Sequence, residues 1–440
     1  MTKRKISPYL IIILSYLFVI LIGAILFWLP FSTVDNQGLS VMESFFTATS
    51  AICVTGLSVI PNLGETLSVF GKIVLAILIE VGGLGFLTLA VFMFIVLGLK
   101  IGIAERFLMK EALNQNSARG VIRLIKAIIL ITLSIQFFGM LINLIVFLDG
   151  NTFFKALGLS AFHSISSFNN AGFDIFGFDN SMVNYGSNIL LNINTMLLIV
   201  LGGIGFIVIY DVIDSIKKKD LKKLSRHTKV VLIVSLVLII SGMLLMKLSM
   251  YNQIGWLEAL FQSITARTAG FSTIDISTVS PPAYMVLIFL MFVGASPTST
   301  GGGIKTTTLF VLIATIISYA RGKSPKIFSR KISQHSIFKA FSLTVFVITY
   351  IIMISFLILL VEDGFGINET VFEVVSAFGT VGLSMGITSS LSPISQILIS
   401  ITMLFGRLGP LTVISIWNKN RIRESEEEDI KYIEEKIIIG

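Results

Sequence analysis

Long apolar stretches alternate with short polar ones along the whole chain, and the apolar stretches come in two lengths. Eight of them match or exceed the about 20 residues that an α-helix needs to cross a bilayer, so they predict membrane spans. These spans cover residues 9–29, 70–97, 121–148, 189–213, 230–250, 283–319, 337–361 and 393–417. Four other apolar stretches are too short to cross. They cover residues 41–52, 154–168, 256–266 and 369–378.

The four half-length stretches repeat one pattern. Each contains one of the runs Phe46-Thr-Ala-Thr-Ser, Phe162-His-Ser-Ile-Ser, Phe261-Gln-Ser-Ile-Thr and Phe372-Glu-Val-Val-Ser. From that phenylalanine to a closing glycine the spacing is 10, 10, 9 and 10 residues, which indicates an internal fourfold repeat. We call the four residues that end on this glycine a filter segment. The filter segments consist of Cys53, Val54, Thr55 and Gly56; Asn169, Asn170, Ala171 and Gly172; Arg267, Thr268, Ala269 and Gly270; and Gly379, Thr380, Val381 and Gly382.

The filter segments have the properties of a cation pore. A short helix that points its C-terminus toward the membrane centre places partial negative charge there, which favours a cation. Backbone carbonyls in the extended segment that follows can replace the hydration shell of the ion, and glycine leaves the path free of side chains. A single segment could equally be a glycine-terminated helix end. Four segments in register favour the pore.

Composition supports a polytopic membrane protein. The chain is 54% hydrophobic and 13% charged, with a mean hydropathy of +0.91, unlike a soluble globular protein. Cys53 is the single cysteine, which excludes an internal disulfide, and the three histidines lack metal-ligand spacing. No convergent titratable cluster and no dinucleotide fingerprint occur. An enzyme is therefore not expected, and a transported cation needs no covalently bound cofactor.

The positive charges predict the orientation in the membrane. Of the 33 lysines and arginines, 27 fall in the blocks 1–6, 98–126, 213–229, 321–339 and 418–440. By the positive-inside rule these blocks are cytoplasmic, so we expect both termini inside and residues 8–30 to form a first span rather than a removed signal peptide. The net charge of +8 then reflects membrane topology and not nucleic-acid binding.

The predicted fold is an all-α polytopic membrane protein with eight spans. Four span–pore-helix–filter–span repeats surround one central pore, as in a K⁺ channel. The repeats cover residues 8–97, 120–213, 230–320 and 337–417, joined by cytoplasmic links 98–119, 214–229 and 321–336 and followed by the tail 418–440. The glycine pairs 82–83 and 202–203 are typical of close helix packing.

The outgoing span of the third repeat contains a break. Residues 294–308 include Pro297 and three consecutive glycines within an apolar stretch. They are not a phosphate loop, because Ile304 separates Gly303 from Lys305. A kinked helix is one interpretation; we favour a broken helix whose middle lines the conduction path.

The filter segments resemble those of the Trk/Ktr/HKT superfamily of K⁺ transporters, and most closely the bacterial KtrB-type membrane subunit. The motifs are residues 168–173, 267–271 and 376–383, and the resemblance runs from about residue 10 to 417. It implies K⁺ uptake across the plasma membrane, a homodimer with one pore per subunit, a cytosolic nucleotide-binding ring of the KtrA/KtrC type, and stimulation by Na⁺. Arg267 is expected to be a scaffold residue.

The resemblance also implies a gate. In this superfamily the broken helix forms an intramembrane loop under the filter, and Arg407 matches the arginine of the last helix. Glycines in the loop allow two backbone arrangements, as a switch requires. The candidate gate consists of Gly294, Ala295, Ser296, Pro297, Thr298, Ser299, Thr300, Gly301, Gly302, Gly303, Lys305 and Arg407.

Two other transporters fit the sequence less well. One is a Na⁺ uniporter of the same architecture; in the plant branch of the superfamily, serine in place of the first filter glycine goes with Na⁺ preference, whereas all four positions here are glycine. The other is a secondary transporter with discontinuous helices, which predicts two long repeats rather than four short ones.

Overall fold

The computed structural model describes residues 8–96, 121–177 and 182–410. The predictions for the N-terminal basic block 1–6, the link 98–119, the end of the last span at Trp417 and the tail 418–440 concern residues outside these ranges. Most of the described chain is helical. Its helices follow the predicted fourfold order of a long helix, a half-length helix, a filter segment and a second long element.

Each repeat begins with a long apolar helix, which we call the incoming helix. Each is long and apolar enough to cross a membrane. Their outer faces expose large apolar side chains such as Phe18 and Leu130, as contact with lipid favours. The incoming helices are Pro8–Trp28, Val121–Phe147, Arg226–Ser249 and Gln334–Val361.

A half-length helix follows in each repeat, at 10 to 16 residues too short to span a bilayer. Glutamates fix three of the helix starts. Glu43 accepts the N–H of Ser40, and Glu258 and Glu369 accept the N–H of the residue three positions before them. These carboxylates satisfy donors that a helix start leaves unpaired. The half-length helices are Val41–Cys53, Phe153–Phe168, Trp256–Thr265 and Ile367–Gly379.

Three of the four outgoing helices are broken within the described residues. Breaks within the spans predicted over 70–97 and 189–213 were not predicted: Gly85 and Gly205 adopt φ of +81° and +95° and end the helix. The two parts of the second outgoing helix bend by 99°. The predicted break within 283–319 is present. The outgoing helices are Val69–Leu84 and Phe86–Val96; Ile189–Gly203 and Phe206–Lys217; Pro281–Phe292 and Thr306–Ala320; and Pro393–Leu408.

These breaks affect how many spans can be recognised. Within the described residues, the four incoming helices are long and apolar enough to be spans. The number rises to five if the bent pair of the second repeat is counted as one span. The count of eight spans with both termini inside therefore stays a prediction. The helical class of the protein is confirmed.

The remaining elements are short. In the predicted link 321–336, an antiparallel pair joins Lys326–Ile327 to Arg330–Lys331, an exception to the all-α prediction. A four-residue helix covers Leu63–Thr66. Single 3₁₀ turns cover Pro30–Ser32, Val183–Tyr185, Leu221–Lys223, Ile276–Thr278 and Thr388–Ser390.

The core lies around the half-length helices. Each outgoing helix packs on the half-length helix of the next repeat, and the fourth outgoing helix packs on the half-length helix of the first. The four repeats therefore close on themselves. The phenylalanines that mark the repeats are buried inside this closed bundle: Phe46, Phe162, Phe261 and Phe372.

Candidate functional site

The four filter segments form a closed ring of backbone contacts. Each closing glycine faces the carbonyl oxygen of the third residue in the next segment, so closely that an added Cβ would collide with it. Glycine is the residue that permits this approach. The contacts run in repeat order and return to the start: Gly56 to Ala171, Gly172 to Ala269, Gly270 to Val381 and Gly382 to Thr55.

The backbone alternates in handedness through each filter segment. The second residue has a positive φ in all four, at 57° for Val54, 59° for Asn170, 123° for Thr268 and 49° for Thr380. The closing glycines have φ between 71° and 91°. In an ordinary strand successive residues face opposite sides. Alternating handedness allows successive carbonyls to turn toward the same side.

A serine or threonine behind each segment holds the backbone N–H groups away from the ring. Its carbonyl accepts the N–H of the third filter residue at 2.8 or 2.9 Å. Its hydroxyl bonds the closing glycine or the residue after it, for example accepting the N–H of Gly56 or donating to the carbonyl of Phe173. These residues were present in the repeated runs, although their role was not predicted. They are Ser50, Ser166, Thr265 and Ser376.

The half-length helices end at the ring, so their C-termini place partial negative charge there. Cys53, Phe168, Thr265 and Gly379 are the last helical residues. Because the ring is lined by carbonyls and helix C-termini and its N–H groups are turned away, it suits a cation and not an anion.

Arg267 belongs to filter segment three, yet its guanidinium leaves the ring. It reaches the incoming helix of its own repeat, 3.3 Å from the hydroxyl and 3.4 Å from the carbonyl of Ser235. This contact directs the positive charge of Arg267 away from the ring, and the scaffold role stays a prediction. The Asn170 amide and the Thr268 hydroxyl, 2.8 Å apart, link segments two and three.

Glu80 connects two repeats behind the ring. One carboxylate oxygen accepts from the Asn169 amide at 2.6 Å and from the Gln136 amide at 2.8 Å. Asn169 starts filter segment two, while Glu80 lies on the first outgoing helix. Glu80 lies within the span predicted over residues 70–97. A buried carboxylate needs such partners, and only the fold shows which residues supply them.

The glycine motifs of the outgoing helices have two functions. An added Cβ at Gly82, Gly202 or Gly406 would strike the carbonyl of the residue before a filter segment, which agrees with the predicted close packing. A glycine three positions further along, Gly85, Gly205 or Gly409, adopts a positive φ and ends the helix. The sequence pattern alone does not distinguish the glycine that packs closely from the glycine that ends the helix.

The predicted gate residues come together beside the filter. The N–H of Gly302 donates to the Thr380 hydroxyl at 2.8 Å. The loop also touches the second outgoing helix, because the N–H of Ser296 donates to the carbonyl of Gly203 at 3.0 Å. The broken segment, residues 293–305, thus lies between filter segment four and the outgoing helix of repeat two.

Two cationic side chains bind the carbonyls of this loop. The Lys305 ammonium donates to Gly301 at 2.6 Å. The Arg407 guanidinium donates to Thr300 of the loop and to Gly82 and Gly83 of the first outgoing helix. Arg407 therefore joins three repeats through backbone oxygens, as its fixed fork of donors permits.

Known proteins resemble this chain over its whole length. A family model described as a cation transport protein, TrkH, matches residues 3–421. The Ktr system potassium uptake protein B of Bacillus subtilis is 37% identical over 99% of this chain and 97% of its own. The potassium/sodium uptake protein NtpJ of Enterococcus hirae is 35% identical over 100% of this chain and 98% of its own. The predicted resemblance is confirmed.

A solved structure shows the same fold. The potassium transporter TrkH from Vibrio parahaemolyticus has a TM-score of 0.73 to this chain and 22% sequence identity. The match covers 95% of this chain and 86% of that one. The family and these relatives are transporters and not enzymes.

Proposed function

Because this chain belongs to the TrkH family of cation transport proteins, we propose that it carries K⁺ into the cell through the ring of four filter segments. The closed chain of glycine-to-carbonyl contacts is the observation that carries the proposal. Four segments from one chain enclose a single path, so one subunit holds a complete pore. The repeat boundaries 8–97, 120–213, 230–320 and 337–417 are part of this proposal.

The ring selects cations by its backbone. Carbonyl oxygens replace the hydration shell of the ion, and the four helix C-termini add a favourable potential. The serine or threonine behind each segment keeps the N–H groups out of the path. Arg267 does not repel the ion, because its charge is directed toward Ser235.

Potassium is the preferred ion in this proposal, and sodium the second candidate. The four closing glycines favour K⁺, whereas a relative at 35% identity is named a potassium/sodium uptake protein. Sodium could also act as a stimulating ion. The two are separated by measuring K⁺ and Na⁺ flux in parallel.

The test is growth rescue of a bacterium that lacks K⁺ uptake, at low external K⁺ and with or without added Na⁺. We expect rescue by the wild-type chain. Purified protein in liposomes should then pass K⁺ faster than Na⁺. If rescue fails despite normal membrane expression and the Na⁺ flux exceeds the K⁺ flux, the transported ion is Na⁺ and not K⁺.

The loop at 294–303, with Lys305 and Arg407, is the gate in this proposal. The loop touches filter segment four, and both cations hold its carbonyls. A rearrangement that withdraws the loop opens the path. Only a few kcal/mol are needed to shift such a two-state equilibrium.

A regulator acts on this gate from the cytoplasm. Relatives are named as proteins of a Ktr system, and we propose that this chain forms a homodimer in the plasma membrane on a nucleotide-binding ring of the KtrA/KtrC type. This nucleotide-binding ring docks on the basic cytoplasmic face of the membrane subunit. It then moves the second part of the third outgoing helix, Thr306–Ala320.

A further inference from the structure

One position in the half-length helices differs among the four repeats in a way that the pore itself does not require. The residue directly after the marker phenylalanine is polar and almost fully buried in every repeat. A buried polar side chain is costly unless it is hydrogen-bonded, so the partner of each of these side chains matters. We call this the brace position. Its four residues are Thr47, His163, Gln262 and Glu373.

The brace position of repeat four makes the strongest contacts. Glu373 accepts from the Ser384 hydroxyl at 2.8 Å with one oxygen and from the Thr388 hydroxyl with the other. Ser384 lies two residues after Gly382, and its own hydroxyl accepts the N–H of Gly386 at 3.0 Å. The carboxyl group therefore holds the chain just after filter segment four at two points.

Repeat three has a weaker version of the same contact. The Gln262 amide donates to the Ser272 hydroxyl at 2.9 Å, and Ser272 lies two residues after Gly270. In repeat two, His163 instead contacts Thr195 of the outgoing helix at 2.8 Å. In repeat one, the buried Thr47 hydroxyl has no hydrogen-bond partner. The residue at the brace position thus makes two hydrogen bonds to the chain beyond the filter segment in repeat four and one in repeat three.

We propose that Glu373 is a positioning residue for ion selectivity, which braces the outer end of filter segment four through Ser384 and Thr388. The ring transmits this effect. Segment four touches segment one through Gly382 and segment three through the Val381 carbonyl. A displaced segment four would therefore change the spacing of carbonyls on both sides, on which discrimination between cations depends.

This inference rests on the proposed K⁺ transport, and the experiment separates the two. K⁺ and Na⁺ fluxes are measured in parallel in liposomes for the wild type, Glu373→Ala, Ser384→Ala and the double variant. Thr47→Val is the matched control, because it changes the same position where the hydroxyl bonds nothing. Melting temperature in detergent reports the folding of each variant.

We expect Glu373→Ala and Ser384→Ala each to lower the K⁺/Na⁺ flux ratio by at least about threefold, as the loss of one hydrogen bond can do. The K⁺/Na⁺ flux ratio of the double variant should be no lower than that of Glu373→Ala, because both substitutions break the same contact. Thr47→Val should keep the wild-type ratio. If Glu373→Ala does not fold, Ser384→Ala carries the test, because it removes one partly exposed hydroxyl.

Two results would overturn the brace while leaving K⁺ transport intact. One is a K⁺-selective wild type whose ratio is unchanged in folded Ser384→Ala and Glu373→Ala. The other is a Thr47→Val variant that loses as much selectivity as Glu373→Ala, since the effect would then come from the helix position. A wild type without K⁺ flux would overturn the proposed function, and this role with it.

Discussion

Gly302 of the broken third outgoing helix donates its N–H to the hydroxyl of Thr380, a residue of filter segment four, at 2.8 Å. The two residues are 78 positions apart, yet this bond joins the loop directly to the filter. A movement of the loop must therefore release or shift Thr380. The proposed gate and the proposed filter therefore share a hydrogen bond.

The gate loop should restrict flux. We expect deletion of residues 299–302 to raise K⁺ flux in liposomes and to remove its dependence on the regulatory ring, because the segment that contacts Thr380 is lost. Arg407→Ala should act in the same direction but more weakly, since Lys305 still holds Gly301. Folded deletion protein with unchanged flux that still responds to the ring would show that the break is only a kink.

Lys305 should stabilise the closed loop. Its ammonium donates to the carbonyls of Gly301 and Gly302, and a hydrogen bond from a charged donor contributes about 1.5–3 kcal/mol. We expect Lys305→Met to raise K⁺ flux roughly tenfold. Lys247→Met is the matched control, because Lys247 also binds two carbonyls but at the far end of an incoming helix. Equal effects of both variants would contradict the assignment.

The closing glycines should set selectivity. We expect Gly56→Ser and Gly270→Ser each to lower the K⁺/Na⁺ flux ratio, because an added Cβ would strike the carbonyl of Ala171 or Val381. The same substitution at Gly158 is the control, since a Cβ there meets open space within a half-length helix. An unchanged ratio in the filter variants would remove the filter assignment.

Glu80 should be needed to hold filter segment two. In Glu80→Ala the amides of Asn169 and Gln136 lose their shared acceptor, at a cost of about 1–3 kcal/mol for each orphaned group. We expect a lower melting temperature and lower K⁺ flux. Glu80→Gln, which keeps one acceptor oxygen, should retain most of both. If Glu80→Ala matches the wild type in both measurements, the link between the repeats is not needed.

The predicted topology can be tested with single cysteines. We expect Asp363→Cys to react with an impermeant reagent from outside intact cells, and Ser329→Cys to react only in inside-out vesicles, because the bases flanking Ser329 are predicted to be cytoplasmic. The wild type serves as the control, since its single thiol at Cys53 is buried. Labelling of Ser329→Cys from outside intact cells would show that the chain has the opposite orientation to the predicted one.

The sequence by itself determined the fourfold organisation. The spacing from marker phenylalanine to glycine and the alternation of long and short apolar stretches are local properties, so they can be read without a fold. The same holds for the break at 294–303, because proline and consecutive glycines disfavour a helix wherever they lie. The family resemblance, carried by residues 168–173, 267–271 and 376–383, could be recognised for the same reason.

Only the tertiary structure decided which residues meet across repeats. Contacts such as Glu80 to Asn169 or Arg407 to Gly82 join residues 89 and 325 positions apart, and no local pattern encodes such a pairing. The closure of the ring, from Gly382 back to Thr55, depends on how all four repeats pack together. The breaks at Gly85 and Gly205 also needed the fold. A glycine in an apolar helix can serve close packing or a left-handed turn, and its surroundings select between them.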